Sequence, residues 1–122
     1  MGRVVHFEIP ADNPERAVKF YTRVFDWKIE RWQGPVEYWM VMTGPTDQPG
    51  IDGGLMRRHP PFNGTVNTVD VASLNESMKK VVANGGKVIR PKTAVPGVGW
   101  MTYCVDTEGN FFGMMQADTS AK

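Results

Sequence analysis

His6 and Glu8 are the residues of this chain whose types and spacing point most directly to chemistry. They stand two apart in Arg3 to Ile9, RVVHFEI, a run rich in β-formers. Alternation along a strand sends residues i and i+2 to one face. Val5, Phe7 and Ile9 should then meet a helix, while Val4, His6 and Glu8 share the opposite, enclosed face. Burying either polar group without a partner costs about 1–3 kcal/mol or more. The pair is therefore solvated in a pocket or bonded to neighbours. A desolvated Glu8 would have its pKa raised and could act as a general base, with His6 as donor or second base. The plainer alternative is a satisfied structural histidine beside a glutamate that reaches solvent.

Other residues could shape a site around that pair. Trp39, Met40, Met42, Trp100, Met101 and Tyr103 fall on candidate strands, and alternation sends some of them inward. Trp39, Trp100 and Tyr103 are the expected walls of a ligand pocket. Such walls suit a flat or aromatic apolar ligand, although ordinary core or dimer-interface packing would use the same residues. Cys104, mid-strand with no base visible nearby, reads as inert packing. Arg57-Arg58-His59 reads as a solvated turn, and Asp106 to Asn110 as a turn without the spacing of a calcium loop.

The elements that would position these residues follow the same plan twice. After the first strand, Asp12 or Asn13 is a helix cap, Pro14 suits the first helical position and Glu15 the first turn. Ala17, Phe20, Tyr21, Val24 and Phe25 then form one apolar stripe that should pack on a sheet. Strands are expected at Trp27 to Trp32, Glu37 to Thr43 and Asp52 to Arg57. His59 to Gly64, HPPFNG, has no periodicity and reads as a linker.

In the second half Thr65 to Val71 reads as a strand, and Ser73 to Glu76 as a capping box. A helix follows with the stripe Leu74, Met78, Val81 and Val82, stopped at Gly85-Gly86. Strands then come at Lys87 to Lys92, Gly99 to Val105 and Phe111 to Gln116. Placing Asp12 on Ser73 also puts Glu15 on Glu76, Phe20 on Val81 and Tyr21 on Val82, so cap and stripe repeat together. The expectation is an α+β fold of two βαβββ modules, about residues 3–58 and 65–117, joined by the linker at 59–64 within one domain. Their strands would form a curved mixed sheet around a concave ligand cavity.

Composition bounds the function. The chain has 122 residues, 41% of them hydrophobic and 22% charged, enough for the core of one domain. A formal charge of +1 gives no field to attract nucleic acid or an acidic membrane. A single cysteine excludes an intramolecular disulfide and a multi-thiol metal site and fits a reducing compartment, so a cytoplasmic protein is expected. The start MGRVVHFEIP reads as no signal peptide, and no apolar run approaches the roughly 20 residues of a membrane helix. Edge strands and exposed apolar residues make a homodimer the expected assembly.

Two runs, VVHFEIPADNPERAVKFYTRVFDWKI and NGGKVIRPKTAVPGVGWMTYCVDTEGNFFGM, together resemble the vicinal oxygen chelate superfamily, which includes glyoxalase I, bleomycin-resistance proteins, fosfomycin-resistance enzymes and extradiol dioxygenases. The resemblance implies a divalent ion held at four convergent positions in the metal-dependent members. These fall on His6, near Gly54 or Leu55, near Asn67, and on Gly113. His6 is the one good donor among them. Glu8 would be a second, and a third would have to come from elsewhere, for example Glu37 or His59. No tightly bound metal or other cofactor is therefore expected, and Asn67 becomes a pocket residue. The first expectation is a small-molecule-binding, glyoxalase-like protein acting, if catalytic, without a metal through His6 and Glu8. The alternatives are a metal-dependent lyase of the lactoylglutathione lyase kind or an extradiol-type dioxygenase, and a non-catalytic antibiotic-sequestering protein of the bleomycin-resistance kind.

Overall fold

The computed structural model describes residues 2–122. The chain divides into two units, one spanning His6–Val66 and one spanning Asn67–Lys122 together with residues 2–5.

The first unit holds most of β1 (Arg3–Ala11), then α1 (Pro14–Phe25), β2 (Lys28–Arg31), β3 (Trp39–Met42) and β4 (Gly53–Arg57). Asn13 is the cap of α1, its side chain accepting from the Arg16 amide at 3.1 Å, with Pro14 at the start of the helix. The helix ends in Asp26, whose φ of 61° lets its amide return to the Thr22 carbonyl at 3.0 Å. The strands run in the order β2-β3-β4-β1, with β1 and β4 parallel and the other neighbours antiparallel.

Register fixes two faces. Ile9, Leu55 and Trp39 lie side by side, and Ala11, Trp39, Val41 and Leu55 form the buried core against Ala17, Val18 and Tyr21 of α1. Glu8, Gly54 and Met40 lie side by side on the other face. Phe7 and Ile9 are on the helix side, as alternation required, whereas Val5 is exposed and lies outside that core.

The helix stripe is only partly buried. Phe20, Val24 and Phe25 remain 56%, 53% and 56% exposed. The reason is geometric: the line of contact runs through Ala17, Val18 and Tyr21, and Tyr21 stacks on Trp27 at 5.1 Å. Phe20 and Phe25 then sit on the outer rim of that aromatic group, 5.2 Å from Tyr21 and 5.2 Å from Trp27 respectively.

The second unit begins inside β5 (Val66–Asp70) and continues through α2 (Leu74–Ala83), β6 (Lys87–Val88), β7 (Thr93–Val95), β8 (Gly99–Val105) and β9 (Phe111–Ala117). The Ser73 side chain caps α2 by accepting from the Glu76 amide at 3.3 Å. Gly85, at φ 93°, makes the turn out of the helix in a conformation that a Cβ would strain. Strand order is β5-β9-β8-β6, with β7 also on β8 and β5 parallel to β9. Leu74, Cys104 and Met114 form the core, packed by Val69, Met78, Val81, Trp100 and Phe112.

The strand expected over Glu37 to Thr43 is shorter, Trp39–Met42, and a larger departure follows α2. The strand expected over Lys87 to Lys92 stops at Val88, and a separate β7 forms beyond it. Pro91 has no amide to donate. Before it, the Ile89 and Arg90 amides both donate to the Tyr103 carbonyl, at 2.9 and 3.2 Å, which is the crowding of a bulge. Between β4 and β5, residues 59–64 carry no regular structure, yet Phe62 is buried and Arg58 Nη1 donates to the Asn63 carbonyl at 2.8 Å. The fold is α+β, a βαβββ plan used twice.

Candidate functional site

The polar face of the first unit is organised by three side chains. His6 and Glu8 come from β1, and Tyr38 comes from the β2–β3 connection, one residue before β3. Tyr38 has the parity of Met40, which places its ring on the Glu8 face. Its backbone is tied down by the Trp32 amide donating to the Tyr38 carbonyl at 2.8 Å, and the two rings meet edge to face at 6.3 Å.

Gly54 makes the arrangement possible. It pairs with Glu8 on one side and Met40 on the other, and a Cβ on Gly54 would overlap the Tyr38 hydroxyl. The phenol thus fills the volume that any other residue at 54 would claim. From there it donates to Glu8 Oε2 at 2.9 Å, while its oxygen lies 2.8 Å from His6 Nε2.

The protons of this chain can be assigned by counting. The phenol has one hydrogen, and a bond to a carboxylate is the stronger use of it. With that hydrogen on Glu8, the Tyr38 oxygen accepts from His6, which requires a proton on Nε2. Glu8 is only 5% exposed, so the bond lies where competing water is scarce. Burial pulls the His6 imidazole below the ordinary histidine pKa, against the opposing pull of Glu8 and Asp52. The assembly is a carboxyl group, a phenol and an imidazole in series, a set able to accept, donate and relay a proton.

Of the residues singled out by sequence, His6 and Glu8 are brought together, and the link between them is Tyr38, which was missed. Its signal was present: the expected strand Glu37 to Thr43 gives Tyr38 the parity of Met40 and Met42. Trp39 does not face this site. Parity turns it to the helix side, where it is 8% exposed and carries the Arg31 guanidinium 4.9 Å from its ring centroid. Trp100 likewise packs on the helix side of the second unit, donating to Asp118 Oδ2 at 3.1 Å with the Lys92 ammonium 4.9 Å from its ring centroid. Asn67 is exposed and pairs with Phe112, so the β5 residue opposite Gly113 is Thr68, one place on. Tyr103 has the opposite parity to Trp100 and pairs directly with Gly113. Cys104 is buried and burial pushes its thiol pKa up, which suits inert packing.

The donor set does not fit a tightly held divalent ion, which generally needs three or more convergent N, O or S ligands. Among the described residues no group of three His, Cys, Asp or Glu side chains converges. His6 and Glu8 supply two, and the third group in reach is a phenol whose hydrogen is already on Glu8. Glu37 is engaged by Arg57, Nε to Oε1 at 2.9 Å, which also holds its carboxyl below the usual range. His59 is exposed in the 59–64 segment.

A bleomycin resistance protein-like N-terminal family profile matches residues 3–44, a span that includes His6, Glu8 and Tyr38. A glyoxylase-like domain-containing protein of Didymella fabae is 31% identical over 114 residues, covering 89% of this chain and 89% of that protein. Among solved structures, the hypothetical protein BH1468 of Bacillus halodurans C-125 superposes with a TM-score of 0.70 at 16% identity, covering 99% of this chain and 98% of that one. A Streptomyces coelicolor methylmalonyl-CoA epimerase variant in complex with 2-nitronate-propionyl-CoA superposes with a TM-score of 0.69 at 14% identity, covering 98% and 97%. At such identities the structural matches speak to fold. Among the described residues no helix is long and apolar enough to cross a membrane.

Proposed function

The chain belongs to the glyoxalase-like proteins of the vicinal oxygen chelate superfamily, and from that membership we propose that it binds a small organic molecule at the His6–Tyr38–Glu8 face and moves a proton there without a tightly held metal. The observation that carries this reading is the unbroken hydrogen-bond chain from imidazole through phenol to a nearly buried carboxylate. A general base needs a proton acceptor within reach of the substrate and a partner that steadies the charge it gains. His6 and Glu8 supply acceptor capacity at the two ends, and Tyr38 couples them. The exposed Met40 beside Gly54 adds a deformable apolar surface on the same face.

Thermal shift is the first test, because stabilisation follows ligand occupancy. The probes are methylglyoxal–glutathione adducts, catechols, planar antibiotics and acyl-CoA esters, the last because a fold relative was solved with one. One class is expected to raise Tm, with the gain lost in His6→Ala and Glu8→Gln. Solvent deuterium entering that ligand would then establish turnover. No stabilisation by any class, or stabilisation indifferent to both substitutions, would overturn the reading. A second reading, sequestration without turnover, draws support from the bleomycin resistance-like match over residues 3–44. Ligand binding with no deuterium exchange would favour it.

A further inference from the structure

His6 makes one hydrogen bond among the described residues, through Nε2 to Tyr38. Its other nitrogen, Nδ1, has no partner there. No buried side-chain nitrogen or oxygen among the described residues lacks one, so Nδ1 is open to solvent. The two imidazole nitrogens are thus different: one is bonded to a phenol, the other has no partner among the described residues and is reached by solvent. Which of them carries the proton decides what the site offers a ligand.

We propose that Tyr38 is the positioning residue of this site: seated in the space left by Gly54, its hydroxyl fixes His6 as the Nε2–H tautomer and makes Nδ1 the atom that accepts a hydrogen from the ligand. This rests on the reading above for there being a ligand at all, but the tautomer is a property of the protein alone. The chain of donors runs one way, His6 to Tyr38 to Glu8, because the carboxylate end can only accept. Reversing His6 would put a lone pair on Nε2 against an oxygen whose single hydrogen is already committed. The ligand class follows: a molecule that presents a hydroxyl, an N–H or an acidified C–H to Nδ1, in preference to one that presents only acceptors.

Gly54 is the second half of the device. Since a Cβ there would overlap the phenol oxygen, Gly54→Ala must expel the Tyr38 hydroxyl while leaving Tyr38 in the sequence. Two different substitutions therefore break the same contact, one by deleting the hydroxyl and one by evicting it.

The test is nitrogen-15 NMR of protein labelled at histidine, at a pH where the imidazoles are neutral. The chain has two histidines, and His59→Gln assigns the remaining signals to His6. The expected wild-type result is a fully protonated Nε2 and a fully unprotonated Nδ1. In Tyr38→Phe and in Gly54→Ala the two shifts should move towards each other as the tautomers begin to average. A purely structural phenol would lower stability in these variants and leave the tautomer untouched. Should either variant fail to fold, the other still reads the effect. An Nδ1–H tautomer in the wild type, or wild-type shifts retained in the folded variants, would overturn the proposal. Neither result depends on a ligand, so the assignment can fail while the thermal-shift reading stands, and the reverse.

Discussion

In the first module Gly54 pairs with Glu8 and lies under the Tyr38 hydroxyl; in the second Gly113 pairs with Thr68 and Tyr103, and its open side meets a hydroxyl and the edge of a ring. Both modules thus leave a last-strand position without a side chain and cover it with a tyrosine. What differs is the reach of that tyrosine. Tyr38 comes from a connection and lays its polar end over the glycine. A Cβ on Gly113 would instead sit 3.5 Å from a Tyr103 ring carbon and 3.2 Å from Thr68 Oγ1. One fold position, filled from a loop in one case and from the neighbouring strand in the other, yields a titratable chain in the first module and an uncharged contact in the second.

The comparison can be broken from the core outward. Leu55 and Leu74 are both fully buried, one in each module, so Leu55→Ala and Leu74→Ala should each cost about 2–5 kcal/mol in urea unfolding. Similar losses would show that the modules differ at the site and not in their cores. Next comes Gly54→Ala against Gly113→Ala. The first must evict the Tyr38 hydroxyl from a nearly buried carboxylate and should cost about 1–3 kcal/mol. The second meets Thr68 Oγ1 at 3.2 Å and a Tyr103 ring carbon at 3.5 Å, a far smaller overlap, and should cost less than the first. Equal costs would erase the distinction between the glycines.

Smaller again is Tyr38→Phe, which removes one hydroxyl and keeps the ring against Trp32; a loss of about 1–2 kcal/mol is expected in the same assay. The least effect is on pH dependence. Burial depresses the folded-state pKa of His6, so the unfolded chain binds its proton first as pH falls. Stability should therefore decline as pH drops from the ordinary histidine value of 6.5 towards the lowered one, and His6→Gln should flatten that part of the profile. A decline of the same size in His6→Gln would assign it elsewhere.

Much of the fold was legible because caps and stripes act locally. Asn13, Pro14, Ser73 and Gly85 each set a helix end by a contact within a few residues, and the duplication followed from their recurrence. The site was legible only in part. Alternation along one strand sufficed for His6 and Glu8. Tyr38 required the register of three strands at once, since its role depends on Gly54 lying opposite Glu8. The tryptophans show the same limit from the other side: hydrophobicity marked Trp39 and Trp100 as wall material, and only the ladder decided which face they joined. The strand expected over Lys87 to Lys92 ran through Pro91, and the bulge at Ile89 and Arg90 that ends it depends on the distant Tyr103 carbonyl.

Calorimetric titration of zinc, nickel, manganese and ferrous ions into protein without a histidine tag, with His6→Ala alongside, tests most directly whether this face is a proton chain or a cation cage. The hydrogen-bonded His6–Tyr38–Glu8 arrangement predicts no stoichiometric binding that depends on His6. One equivalent of tightly bound metal in the wild type, lost in His6→Ala, would contradict it.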